Sequence, residues 1–307
     1  MTERAVVRNK GERRQAAKAQ RAWRSLLVPV LLVGAALAHG DAAGRNFLWK
    51  ATRQQGVVYL VGSIHALPAD AYPLNAAFDA AFKDADLLVE ELDLGDSQGQ
   101  MQALMRGMLP AGQSFDKVVS PSTMALMNKF SAGLGIAAEP LKLFKPWMVA
   151  VALEGLMLAQ AGFDPELGID KHFYDLAQQG GKTVQGLETA DYQISRFDDM
   201  TMEQQDRMLA DMLKELETEK TSFGKLADAW KGGDAAAVER IVLTDLKQDP
   251  VMYQRLLVER NRNWLPKIEA LFARSGHAFV VVGAAHLLGP DGLIALLKAK
   301  GYSLEQM

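Results

Sequence analysis

The chain of 307 residues contains no cysteine. Disulfides, thiolate metal ligands and a cysteine nucleophile are therefore excluded, and stability has to come from the core. Histidine is scarce, with five in all, so an imidazole-based site has few candidates. There is no His-Glu-x-x-His metalloprotease motif and no Walker loop for phosphate. Beyond the first 24 residues there is no basic stripe, which argues against nucleic acid as a partner. Nor is there an apolar run of about 20 residues, the length a membrane-spanning helix needs.

What the chain does have is a balanced, core-forming composition: 49% hydrophobic residues and a net charge of −3. The balance hides an asymmetry. Arg4, Arg8, Lys10, Arg13, Arg14, Lys18, Arg21 and Arg24 face only Glu3 and Glu12, and the 14-residue run "SLLVPVLLVGAALA" follows. That run ends on Ala36-Leu37-Ala38, the small-x-small pattern that signal peptidase accepts. Residues 1–40 are read as a signal peptide, or as an uncleaved N-terminal membrane anchor because the leader is long and Pro29 interrupts the run; His39 flanks it. An exported, periplasmic or otherwise extracytoplasmic protein is expected, with residues 41–307 as one domain.

Within that domain strands alternate with helices. "FLWKA" (47–51) and "VVYLV" (57–61) predict a hairpin. "LNAAFDAAFKDA" sets Leu74, Phe78, Ala81, Phe82 and Ala85 on one helical face. "LLVEELDL" (87–94), "GKTVQGLE" (181–188) and "HAFVVVG" (277–283) read as core strands. Ser120-Pro121 opens a helix, "KPWMVAVALEGLMLAQAG" continues apolar to Gly162, residues 190–274 are amphipathic, and a last helix stops at Gly301. The expected fold class is α/β: a single domain with a mixed central sheet and helices on both faces.

Two segments share one plan. "VVYLVGSIH" (57–65) and "AFVVVGAAH" (278–286) are each an apolar run, a glycine and, three positions later, a histidine, 221 positions apart (286 − 65). Ligands gather at the carboxyl ends of strands in such sheets, and glycine lets the backbone turn sharply there. If the strands are neighbours, His65 and His286 meet, and paired imidazoles are common metal ligands where thiolates are absent. Glu90, Glu91 and Asp93 end the second core strand. Alternation puts Glu91 and Asp93 on one face and Glu90 on the other, and a buried carboxylate is costly unless paired or metal-bound.

Other residues have simpler explanations. His172 with Asp164, Glu166 and Asp170 can be drawn as a second metal site, but a helix N-terminus with acidic capping residues explains them better. His277 reads as a turn residue, and the 14 scattered methionines as core filler. Glu188 and Gln193, in "GLETADYQ", read as buried structural partners.

The ordered set "YLVGSIHALPADAYPL", "LLVEELDL", "FKPW", "GIDKHF", "GLETADYQ", "ERNRNW" and "VVGAAHLLGPDGLIALLKAKGY" resembles the TraB/GumN family, related to the Tiki proteins, over residues 45–307. The resemblance implies a fold related to erythromycin esterase and the haem-binding lipoprotein ChaN. It also implies functional roles for His65, His286, Glu91 and the Arg260-Asn261 pair, with "VEEL" leaving Glu90 as an alternative to Glu91. A metal-dependent hydrolase, most plausibly a peptidase, is then expected. His65, His286 and Glu91 would hold Zn²⁺, Mn²⁺ or Co²⁺ with an open position for water. Arg260 would stabilise the oxyanion or hold a substrate carboxylate, and Asn261 would orient it. The partner would be a peptide or small-molecule substrate. Two alternatives stand beside this reading: a non-catalytic ligand- or haem-binding protein, and a metal-independent, esterase-like hydrolase with histidine as general base.

Overall fold

The structure, a computed structural model, describes residues 44–218 and 222–307; the expected signal peptide or anchor, residues 1–40, lies outside them. Among the described residues no helix is long and apolar enough to cross a membrane.

Six strands form one sheet in the order β4-β3-β5-β2-β1-β6. They are β1 (Leu48–Arg53), β2 (Gly56–Ser63), β3 (Leu87–Glu90), β4 (Thr183–Gly186), β5 (Ala278–Gly283) and β6 (Ser303–Gln306). The expected hairpin is β1 with β2, and β6 adds antiparallel to β1. β2, β3, β4 and β5 run parallel to one another, so the sheet is mixed. All six residues of β5 are buried, which requires cover on both faces of the sheet. On one face Phe279 packs its ring against Phe82 of helix Ala76–Asp84 and Phe173 of helix Ile169–Gly180, at centroid distances of 5.3 and 4.6 Å.

Two strands differ from expectation. The segment at 181–188 is not a core strand: β4 is short, lies at the sheet edge, and has residues that are only exposed or half-buried. An apolar valine amid polar neighbours looks the same in sequence at an edge as in a centre. β6 was not anticipated, because "SLEQ" carries one apolar residue and joins through backbone pairing to β1.

The parallel register sets Ser63 beside Gly283. Both Gly-x-x-His segments therefore leave the same end of the sheet from adjacent strands.

Close backbone approach makes Gly56 irreplaceable. A Cβ there would lie 2.2 Å from the carbonyl oxygen of Phe272, a main-chain atom that cannot rotate away. Gly56→Ala is expected to destabilise the fold by about 1–3 kcal/mol in urea unfolding. Gly133→Ala, on an exposed helical position with nothing within 4 Å, is expected to be neutral or stabilising.

Candidate functional site

The loop after β2 carries His65, and the N-terminus of helix Ile169–Gly180 is pinned against it. Ile169 donates its backbone N–H to the Ile64 carbonyl at 3.1 Å. A Cβ on Gly168 would come within 2.3 Å of the His65 carbonyl oxygen, so only glycine permits this approach. Two residues on, Asp170 Oδ2 lies 2.6 Å from His65 Nδ1. The acidic residue assigned to helix capping is in fact the orienting partner of the first histidine. Among the described residues His65 Nε2 has no hydrogen-bond partner.

His286 sits on the short helical turn Ala284–Leu287 after β5, buried, with both ring nitrogens occupied. Nδ1 is 2.7 Å from Asn261 Oδ1, and Nε2 is 3.0 Å from Arg260 Nη1. Arginine has no lone pair to offer, so Nε2 accepts and the proton resides on Nδ1. Asn261 is itself fixed, donating through Nδ2 to the carbonyls of His286 and Asp291 at 3.1 and 2.8 Å.

Arg260 and Asn261 lie in the first turn of helix Glu259–Leu271, directly after the π-helical segment Gln254–Val258. Every guanidinium nitrogen is engaged: Nε donates to Glu188, Nη1 to the Leu256 carbonyl and His286, and Nη2 to Glu91, with Nη2 also 2.8 Å from Glu188 Oε1 as an ion pair. In this arrangement Arg260 holds its neighbours in position. Glu188, seen in the sequence as a structural partner, also accepts from Trp264 Nε1 at 2.7 Å.

Glu91, immediately after β3, is the carboxylate at the centre. Oε1 accepts from the Gly283 backbone N–H at 2.7 Å, and Oε2 accepts from Arg260 and from Gln193 Nε2 at 3.2 Å. Glu90 is buried with neither oxygen bonded among the described residues. Burial, then the charges of Asp170 and Asp93, hold it well above the usual carboxylate range. Asp93 is exposed and caps the turn at Gly95. Strand alternation had paired it with Glu91, but β3 ends at Glu90, so the alternation stops there.

The ionisation states follow from these contacts. Burial alone would raise the Glu91 pKa, but Arg260, then His286 and His65, bring it down to about 2. For His286, burial and the Arg260 charge act together and lower it to about 3, leaving a neutral ring. At His65 burial depresses the pKa, yet the Asp170 charge and hydrogen bond prevail and raise it. Burial pushes Glu188 up against the pull of Arg260.

The donor set can be tested for the expected divalent ion. His65 Nε2 and one lone pair on Glu91 Oε1 are free, but the Arg260 guanidinium closes His286 Nε2. The three residues converge without presenting three ligands, and no group of three or more His, Cys, Asp or Glu among the described residues is arranged to hold a metal. His172 is no second site either: its ring packs 5.2 Å from Tyr72 and 5.0 Å from Phe173. His277 pairs with Asp84 at 2.6 Å.

The family model for the TraB/PrgY/gumN family matches residues 47–306. The chain belongs to this family. Its relatives include the uncharacterized protein YbaP of Escherichia coli (strain K12), 27% identical over 243 residues, covering 78% of this chain and 87% of the relative. An uncharacterized protein of Treponema pallidum (strain Nichols) is 22% identical over 296 residues, covering 90% and 88%. No solved structure matches. The residues that carried the resemblance, His65, Glu91, Arg260, Asn261 and His286, come together at one end of the sheet.

The buried cluster makes stability depend on pH in a defined direction. The folded pKa values of His286, about 3, and Glu91, about 2, lie below their ordinary values of 6.5 and 4.5. The unfolded chain therefore binds more protons between each pair of values, and stability falls as pH drops from 6.5. Urea unfolding of wild type is expected to show this loss, and His286→Asn a shallower dependence, by up to about 1.4 kcal/mol per pH unit.

Proposed function

We propose that the chain is a hydrolase in which His65, oriented by Asp170, takes a proton from a water molecule that attacks a carbonyl carbon. The observation that supports this most is the convergence at Gly283. A Cβ built there would lie 3.3 Å from Glu91 Oε1 and 3.5 Å from His65 Nε2. Without a Cβ, Gly283 leaves room above its Cα for a water to approach both acceptors. Such a water donates one hydrogen to each and turns its lone pair towards the cleft. As the O–C bond forms, the proton passes to His65 Nε2, and the imidazolium is stabilised by Asp170 before returning the proton to the leaving group.

The other residues serve this pair. Arg260, Gln193 and the Gly283 N–H keep Glu91 ionised and in place, and Asn261 with Arg260 locks His286 as a neutral wall of the site. The bond cleaved is that of an ester or peptide. The metal-dependent peptidase expected from the family shares this floor, but it requires Arg260 to release His286. The basic leader and apolar run support a site of action outside the cytoplasm.

The test is hydrolysis of p-nitrophenyl esters and a peptide library by chelator-treated protein. Turnover is expected to survive chelation. Its kcat/KM should rise with pH through the His65 pKa, because only the neutral ring accepts a proton and Asp170 holds that pKa above 6.5. Asp170→Asn is expected to slow the reaction and move this limb to lower pH. Gly283→Ala, whose Cβ would crowd the water's approach to both acceptors, is expected to lower kcat by about 10²-fold or more with little change in melting temperature. Turnover only with added Mn²⁺, Co²⁺ or Zn²⁺, or Gly283→Ala at wild-type rate, would overturn the reading.

A further inference from the structure

The site lies at the floor of a cleft of about 690 Å³ including its open mouth. Much of that is open solvent; the space that admits whole water molecules is about 70 Å³, several times what one water needs. Its walls are aliphatic. Leu226 comes from helix Ser222–Lys231, Val242 and Leu246 from helix Ala235–Leu246, and Leu256 and Leu257 from the π-helical segment.

Most of the polar groups at the floor are already engaged inside the protein. Every Arg260 nitrogen donates to a protein acceptor, both His286 nitrogens are bonded, and Glu91 Oε2 accepts from Arg260 and Gln193. The cleft thus offers a ligand one imidazole nitrogen, one carboxylate lone pair, the buried Ser63 hydroxyl, which has no partner among the described residues, and a set of leucine and valine methyl groups. A sugar, a phosphate or a charged peptide end would lose its hydration without gaining partners, which is a severe penalty in an enclosed site.

We infer that the substrate is a neutral acyl compound bearing an aliphatic chain, with its carbonyl at His65 and the chain along Leu226, Val242, Leu246, Leu256 and Leu257. This rests on the hydrolase reading for the position of the carbonyl. The aliphatic preference itself rests on the walls alone.

Methyl ketones test it, since they carry the carbonyl and chain but cannot be hydrolysed. Calorimetric titration of the full chain with 2-butanone through 2-octanone is expected to show affinity rising about fourfold per CH₂, the equivalent of ~0.8 kcal/mol each. Leu246→Asn, at a half-buried position, is expected to weaken 2-octanone about tenfold and leave 2-butanone unchanged. Val242→Ala, which adds no polar atom, should weaken 2-octanone severalfold, with melting curves confirming that both variants fold. A series flat in chain length, no binding of any ketone, or variants that bind 2-octanone as wild type does would overturn the inference. A steep ketone series without ester or peptide turnover would keep the aliphatic preference and remove the hydrolase. Turnover with a flat series would do the reverse.

Discussion

The guanidinium of Arg260 is the tie on which the rest of the site depends. One buried cation reaches the residue after β3, the residue that follows β4 by two positions, the turn after β5 and its own helix at Leu256. Taking such a charge out of water is tolerable only when it is paired and hydrogen-bonded, and here each guanidinium nitrogen donates and two carboxylates flank the cation. The completeness of that set also defines its role. An arginine with a free N–H invites an anion, whereas this one holds a carboxylate ionised and a histidine neutral. Of the two site histidines, His65 is the one left with a ring nitrogen unbonded among the described residues.

Just after the π-helical segment, two adjacent residues grip one ring from its two nitrogens. Successive helical positions point about 100° apart, yet Arg260 meets Nε2 of His286 and Asn261 meets Nδ1. The wider turn just before them changes the helix's phase at the point where it passes the turn after β5. Trp264, one turn further on, closes the arrangement with its ring 4.4 Å from that of His286 and its N–H on Glu188.

Much of this was legible in the sequence because it is local. The uninterrupted apolar runs at 57–61, 87–89 and 278–283 announced buried strands, and the repeated Gly-x-x-His gave the strand end where a site gathers. Contacts between distant positions were less visible. Asp170 is 105 positions from His65, and an aspartate near a helix start has an adequate local explanation in capping, so nothing nearby marked it as an imidazole partner. Arg260 could be named but not assigned, since its saturation is a property of five separate chain positions. β4 and β6 were misread or missed for a related reason: edge strands are held by backbone pairing, which leaves little trace in side-chain pattern.

The strand order carries a consequence for how the molecule comes into being. β5 lies between β3 and β2, with the pair β4-β3 on one side and β2-β1-β6 on the other. It is also drawn from residues 278–283, close to the last part of the sequence. On a ribosome, β1, β2, β3 and β4 are all made well before the strand that joins β3 to β2, and only β6 follows it. Until then the β4-β3 pair and the β1-β2 hairpin each wait with an unpaired edge. The joining of the two groups of strands and the completion of the site are then the same late event, since β5 ends on Gly283 and delivers His286.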